Sequence, residues 1–588
     1  MDSEHQRRKR KRISRFHCLR SLLFTCCFIF LAFFSFSFYF SDRILIPSTF
    51  SIFSFSTERF RLNAFLSSFP LRIEDRVLFP DYLLLLLSST TSSSSGDNRR
   101  TIINTCVYFS KTGNSKDNNR IIYNILSAEE HDERRLIVRC PLPPENYSAA
   151  AVNLQTRGRN DAISSNDDYN NNTVHSWETI VYAAVMYDET VVVFVKGLNL
   201  RSGRESDPSQ LNCHFGLGNW ERSERYVLTS KAITAAQEVV RCLLPRTIQM
   251  NPDKADGIRV TIGMQPQLKN KDHVLLMMPS VAKMFKFPKK TNKYNLCVCT
   301  MVWNQASSLR EWIIYHSWLG VERWFIYDNN SDDEIKDVIK ELQQEEDYNI
   351  TRHVWPWIKT QEAGFSHCAM RSRDECSWVG FFDVDEFFYF PHPNRRKHKP
   401  ISNLGFPGKN SLTSLVTNIS SSSPIAEIRT ACHSFGPSGL NSLPSQGVTI
   451  GYTCRLQSPE RHKSIVRPEA LDDTLLNVVH HFRLRKGYRY LNLPQSTAVI
   501  NHYKYQVWEA FRAKFYRRVA TYVVDWRENQ NEGSRDRAPG LGTEAIEPPN
   551  WPLQFCEVWD TGLKDFMLTN LADPSTGLLP WEKMHHHL

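Results

Sequence analysis

From residue 294 to residue 385 the chain alternates short, continuously apolar runs with segments of helical spacing. No other feature constrains the fold as tightly. YNLCVCTMVW (294–303) lacks the every-other-residue polarity of a half-exposed strand, so it predicts a strand buried on both faces. Ser308-Leu-Arg-Glu311 reads as a capping box, with Ser308 as N-cap and Glu311 reaching back to it. Leu309, Trp312, Ile313 and His316 follow at helical spacing, and Gly320 closes the helix. VERWFIYD (321–328) is the next strand, and the polar NNSDD opens a helix running to about 345. ITRHVWPW (350–357) is a third strand, a helix covers about 361–374, and WVGFFDVD (378–385) is the fourth strand. This βαβαβαβ order predicts an α/β, Rossmann-like, mostly parallel sheet covered on both faces. Ligands of such sheets bind beyond the carboxyl ends of the strands.

Three polar clusters fall at those ends: Trp303-Asn304-Gln305, Asp328-Asn329-Asn330, and Asp383-Val384-Asp385-Glu386. Side chains alternate along a strand, so Asp383 and Asp385 are expected to point one way while Val384 packs. An isolated carboxylate among phenylalanines is costly, and two on one side attract a hard divalent cation, Mn2+ or Mg2+. A glycosidase instead needs two carboxyl groups at least about 5 Å apart, flanking a sugar, which adjacent aspartates suit less well.

The 588 residues predict two or three domains. Residues 1–17 are a basic tail, QRRKRKRISR among them, and contribute much of the net charge of +10. Residues 18–41, CLRSLLFTCCFIFLAFFSFSFYFS, carry one charge, Arg20, and are long enough to span a bilayer. With the basic tail inside, this is a single-pass type II signal anchor that places the bulk of the chain in the lumen. Residues 42–99 read as a stem ending in serine-rich low complexity, with DYLLLLLSS (81–89) a packed helix or part of that stem. Residues 100–290 favour strands: a hairpin over 182–199 turning at Asp188-Glu189, then RVTIGMQ (259–265) and HVLLMMP (273–279). They read as a small β-sandwich in which Trp177, Tyr182 and Trp220 are candidates for stacking on sugar rings, against the plainer reading that they are core. A lumenal chain permits disulfides. Of fourteen cysteines, Cys18, Cys26 and Cys27 lie in or beside the anchor, and the remaining eleven leave an odd one. Cys297 and Cys299 face one way on a strand and read as packing. Sequons occur at Asn146, Asn171, Asn329, Asn349 and Asn418, those at Asn146, Asn171 and Asn418 in polar loops. Between 483 and 518 nine Lys or Arg residues face one acidic residue, Glu509, and Val507, Phe511, Phe515, Val519 and Val523 form an apolar stripe. The opposite basic face is a solvated helix surface, or a surface for diphosphate or an acidic polysaccharide. Nucleic acid is disfavoured by the lumenal topology.

CTMVWNQASSLREWIIYHSWLGVERWFIYDNNSDD followed by WVGFFDVDEFFYFP resembles glycosyltransferase family 92, and ACHSFGPSG (431–439), HKSIVRPEAL (462–471) and VINHYKYQVWEAFRAKF (499–515) follow in the family's order. The resemblance covers about 290–530. It implies a GT-A catalytic domain over 291–530, a C-terminal extension over 531–588, and inverting transfer from a nucleotide sugar with a divalent metal. Plant members related to this chain include β-1,4-galactan synthases, which use UDP-galactose on pectic galactan in the Golgi and carry an N-terminal carbohydrate-binding module. By that resemblance Asp385 binds the metal and Asp383 contacts the ribose or donor sugar. His502 is the third ligand, with His480 as rival. Asp328 suits uridine or ribose, Thr300, Val302 and Trp303 suit the uracil ring, and Asn304 suits the nucleotide sugar. Arg371, Lys463 and Arg467 suit the donor, the last two its diphosphate. Inversion needs a general base; Glu460 is preferred over Glu469 and His433. The partners expected are a UDP-sugar, a polysaccharide acceptor, the membrane through the anchor, and a second copy in a homodimer. The competing reading is a non-catalytic lumenal glycan-binding protein on a decayed transferase fold.

Overall fold

A computed structural model of the chain describes residues 71–582, apart from 90–102, 111–119, 133–134, 157–161, 164–172, 199–202, 217–227, 265–275, 291, 346, 392–407, 420–422, 479 and 522–546. The expected anchor over 18–41, the stem before residue 71, and Trp220 lie outside the described residues. Among those described, no helix is long and apolar enough to cross a membrane.

The chain enters as strands. β1 (Leu71–Leu78) pairs antiparallel with β2 (Tyr82–Ser89), and β2 pairs on its other side with β3 (Arg135–Pro141). The leucine run expected as helix or stem is therefore a central strand. Its alternation serves two cores at once: Leu84 and Leu86 face one, Leu83, Leu85 and Leu87 the other, and all five are fully buried. A run of identical residues carries no periodicity, so pattern alone could not separate strand from helix. The predicted hairpin forms as β4 (Ile180–Tyr187) and β5 (Thr190–Lys196), with Asp188 at φ +50° in its turn. Tyr182 is core, its ring 4.9 Å from that of Trp357, while Trp177 stays half-buried.

The α/β region then unfolds in the expected order: β6 (Tyr294–Val302), α1 (Ala306–Trp318), β7 (Arg323–Asp328), α2 (Ile335–Glu345), β8 (Ile350–Val354), α3 (Gln361–Ser372) and β9 (Cys376–Phe381). After it come β10 (Glu386–Tyr389), β11 (Ile425–Ser434), β12 (Arg461–Val466), β13 (Val499–His502) and α4 (Trp508–Thr521). One nine-stranded sheet holds these strands in the order β8-β7-β6-β9-β12-β11-β13-β10, with Arg489–Asn492 attached to β11. The first four strands are parallel, β12 runs against β9 and β11, β13 runs with β11, and β10 runs against β13. The carboxyl ends of β6, β7, β9, β11 and β13 therefore share one edge with the starts of β10 and β12.

The alternation along β6 explains why it is apolar throughout. Leu296, Val298 and Val302 pack with Leu309, Trp312 and Ile313 of α1, while Cys297, Cys299 and Met301 pack with α3 and with β1, β2, β4 and β5. The β-rich region thus shares a hydrophobic core with the α/β sheet, within the single compact unit Asn63–Leu588. Cys297 and Cys299, read as packing, are disulfide-bonded to Cys376 and Cys368. Their partners lie 79 and 69 residues away, a distance that spacing along one strand cannot reveal. Cys106–Cys140, Cys213–Cys242 and Cys454–Cys556 are also joined, leaving buried Cys432 as the unpaired cysteine among the described residues.

The capping box does not form. The N-terminal amide of α1, that of Ala306, donates to Asp333 Oδ2 at 2.8 Å instead. Glu311 faces away from Ser308 and accepts from the Val448 and Thr449 amides at 2.9 and 3.1 Å and from the Thr449 hydroxyl at 2.5 Å. Its complete enclosure pushes the carboxyl up from 4.5 to about 7, against those three donors. The folded chain therefore holds this proton to a higher pH than the unfolded chain does. Stability is lost through this group as pH rises from about 4.5 to about 7, by on the order of 3 kcal/mol in total. In Glu311→Gln that component of the pH profile is expected to vanish, which thermal unfolding of both proteins between pH 4.5 and 7.5 will measure. Gly320, at the end of α1, sits at φ +101°, and a Cβ there would overlap the Thr413 side chain and lie 3.2 Å from Asn410 Cα. Gly320→Ala is expected to cost about 1–3 kcal/mol, read as a lowered Tm.

Candidate active site

The acidic cluster is a turn rather than the end of a strand. β9 stops at Phe381, the Glu386 amide donates to the Asp383 carbonyl at 3.1 Å, and Glu386 Oε2 accepts from the Asp383 amide at 3.0 Å. Asp383 and Asp385 therefore converge through a turn that Glu386 closes, and not through strand alternation. The flanking phenylalanines hold it in place. Phe382 packs its ring 5.6 Å from Trp312 and 5.2 Å from Phe388, and Gly380 leaves the space that ring occupies. Phe382, Val384, Phe387 and Phe388 are fully buried.

One oxygen from each of Asp383, Asp385 and Glu386 lies within 4.8 Å of the others. Asp385 is 4% exposed and Glu386 is enclosed. The neighbouring strands complete the ring. His502 ends β13 directly opposite Glu386 in β10 and Ser434 in β11. Its Nε2 is 3.4 Å from Asp385 Oδ2 and its Nδ1 is 3.6 Å from Glu386 Oε1. His480, the rival, puts Nε2 3.6 Å from Asp383 Oδ2, with its ring 4.9 Å from that of Phe365. Burial, with Lys463 nearby, lowers His480 to about 3, so its imidazole is neutral and able to donate a lone pair. The two histidines thus stand on different aspartates.

Two lysines balance the carboxylates. Lys463 Nζ lies 2.9 Å from Asp383 Oδ2 and 2.8 Å from Glu386 Oε1, and Lys514 of α4 pairs with Asp385 Oδ2. Burial pushes all three carboxyls up. For Asp383 the charge of Lys463 reverses this and holds it at about 2; for Asp385 the charge of Lys514, with the hydrogen bonds from Lys514 and His502, holds it well below the usual range. For Glu386 burial wins and the carboxyl stays raised. The enclosed Lys463 ammonium is desolvated, yet its two carboxylates raise it. Lys463 was expected at a diphosphate; here it is committed to the acidic turn.

Glu460 precedes β12 on the same edge. Its Oε2 accepts from the Ser434 hydroxyl and lies 3.2 Å from Lys504 Nζ, and its side chain is 21% exposed. Ser434 links it across β11 to His502. His433 instead meets Gln495 at 3.0 Å and Arg455 at 3.2 Å, and Glu469 lies on the short turn Pro468–Ala470.

Most of the other donor candidates have partners of their own. Thr300 is enclosed within β6, and Val302 packs on α1. Trp303 is half-buried at the strand end, and Asn304 (φ +50°) is tied to the next loop, accepting from the Asp332 amide at 2.9 Å. The Asp328 carboxylate is fully buried, accepting from Arg352 Nε at 2.7 Å and the Ser331 amide at 2.9 Å. Arg352 also binds Glu129 at 2.8 Å, so Asp328 anchors the sheet to the strands before it. Arg371 lies over the Phe325 ring at 5.3 Å. Arg467 lies over Trp378 at 4.8 Å and donates to the carbonyls of Ile419 and Ser423. Sequence reasoning missed Lys514 and gave Glu386 no role. The only signal for Lys514 was its place in the basic stretch, and it lies three residues beyond the buried Phe511 of the apolar stripe.

Removing the enclosed ammonium leaves the buried Glu386 and the partly exposed Asp383 without their counter-charge. Lys463→Met is expected to destabilise the fold by about 3–5 kcal/mol, measured by urea unfolding of the full chain.

Residues 292–546 match the profile of Glycosyltransferase family 92. A glycosyltransferase family 92 protein of Ricinus communis is 55% identical over 99% of this chain and 100% of its own, and one of Arabidopsis thaliana is 53% identical over 96% and 94%. Among solved structures, a mannosyltransferase from Pyrobaculum calidifontis in complex with GDP-Man and Mn2+ aligns over 45% of this chain and 69% of its own, at 11% identity and TM-score 0.25. The near-complete alignments to the two plant proteins decide the assignment: the chain belongs to glycosyltransferase family 92, and it is a glycosyltransferase.

Proposed function

We propose that the chain is a metal-dependent, inverting glycosyltransferase of GT-A type that moves a hexose from a UDP-sugar onto a cell-wall polysaccharide. Galactose is the preferred sugar and β-1,4-galactan of pectin the preferred acceptor. The observation that carries the metal reading is the convergence of three carboxylate oxygens within 4.8 Å, with His502 beside them, on the carboxyl edge of a wound sheet. These residues fit a hard divalent cation. The donors are mainly oxygens, a neutral imidazole can join them, and buried negative charge is concentrated there beyond what a turn needs. Asp385 and His502 would hold the ion, with Asp383 and Glu386 beside it. Bound there, such an ion supplies positive charge to the leaving nucleoside diphosphate.

The remaining work falls to the chain. Glu386 and the buried phenylalanines keep the two aspartates converged, so the turn itself needs no rearrangement when the donor arrives. Lys463 keeps Asp383 ionised, so that it can accept a hydroxyl of the donor. Glu460, partly exposed on the same edge and held by Ser434 and Lys504, would take the proton from the acceptor hydroxyl. The preference for galactose and pectic galactan rests on the resemblance to galactan synthases. A Golgi location with a lumenal catalytic region rests on the apolar 18–41 segment and the basic tail before it.

Incubating the detergent-solubilised full chain with a panel of UDP-sugars and β-1,4-galacto-oligosaccharides, with and without Mn2+, tests this reading. Transfer is expected with UDP-galactose and Mn2+ and not after chelation. Asp385→Asn is expected to lower turnover by about a hundredfold or more at unchanged Tm. Mn2+-dependent UDP binding without transfer to any acceptor would favour the non-catalytic glycan-binding reading.

A further inference from the structure

Within the basic stretch around α4, Lys514 reaches the acidic turn. The two lysines there differ. Lys463 is enclosed between two carboxylates, its side chain 5% exposed. Lys514 reaches in from the rim, 30% exposed, to a single oxygen, Asp385 Oδ2. His502 Nε2 approaches that same oxygen, at 3.4 Å. A cation bridging Asp385 Oδ2 and His502 Nε2 would therefore take the position that the ammonium now fills. Two cations cannot share it, because repulsion at about 3–4 Å is severe in a poorly solvated site.

We propose that Lys514 is a resident counter-cation: it holds Asp385 in the metal-free chain, competes directly with the divalent ion, and when displaced stays at the rim, where its charge contacts the donor diphosphate. The inference rests on the metal reading under the proposed function. Physically, the exchange replaces one positive charge by two on a turn whose carboxylates outnumber its lysines. A long, partly exposed lysine can swing aside at little cost, whereas Lys463 cannot. Lys514 thus acts on the cation and the donor by charge alone and exchanges no proton in the transfer.

The test measures Mn2+ binding to the full chain by the electron paramagnetic resonance signal of the unbound ion, without nucleotide, for wild type, Lys514→Met, Lys514→Arg and Asp385→Asn. Calorimetric titration of UDP at saturating Mn2+ follows. Lys514→Met is expected to bind Mn2+ about tenfold more tightly and UDP several-fold more weakly. Lys514→Arg, which keeps the competitor, is expected to stay within about twofold of wild type for both, and Asp385→Asn to lose the ion. Equal or weaker Mn2+ binding by Lys514→Met at unchanged Tm, with Asp385→Asn still losing the ion, overturns the role of Lys514 and leaves the metal reading intact. Tighter Mn2+ binding with unaltered UDP affinity overturns the diphosphate contact. Absence of Mn2+ binding in all four proteins overturns both readings together.

Discussion

Three acidic side chains are forced into a phenylalanine-lined turn, and the architecture around them answers that one electrostatic problem. Burial alone would push each carboxyl towards its neutral form. Lys463 and Lys514 come from separate elements to prevent it for Asp383 and Asp385, while Glu386 remains raised. The sheet makes this possible. Its first four strands put the turn at the carboxyl edge, and the strands after it reverse direction so that β13 ends, and β10 and β12 begin, at that same edge. A purely parallel continuation would have sent His502 and Lys463 to different ends.

The second face of the sheet is covered by the strands that precede it in the chain. β2 divides its leucines between two cores, and Asp328, Arg352 and Glu129 bind the two regions by charge. The Glu129 carboxyl, buried but surrounded by Arg352, Lys336 and Arg139, is held at about 2. Such a link is strong only while complete, since removing one member leaves an uncompensated charge inside the protein. This makes the β-rich region part of the scaffold that holds the carboxyl edge of the sheet.

Much of this was legible in the order of residues. The four strands and three helices from 294 to 381, the polar clusters ending the first two strands, and the approach of His502 to Asp385 follow from apolar periodicity and from the family resemblance. What could not be read depends on partners far along the chain. Glu311 has the spacing of a capping box, yet its donors are 137 and 138 residues away. Lys463 looks like a phosphate ligand until Asp383 and Glu386 are found beside it, and Cys299 looks like packing until α3 brings Cys368 to it. Arg371 and Arg467 carry the right charge for a donor, but their positions on α3 and after β12 turn them to Phe325 and Trp378. Charge type is visible in a sequence, whereas which charges meet is a property of the closed sheet.

The central claim is that the Asp383–Glu386 turn is a cation site on the donor side of the catalytic edge. Crystals of the chain grown with Mn2+ and UDP, measured on both sides of the manganese absorption edge, address it directly. The account predicts one anomalous peak within bonding distance of Asp385 and His502, in contact with the diphosphate. A peak elsewhere, or UDP bound with no manganese at the turn, would contradict it.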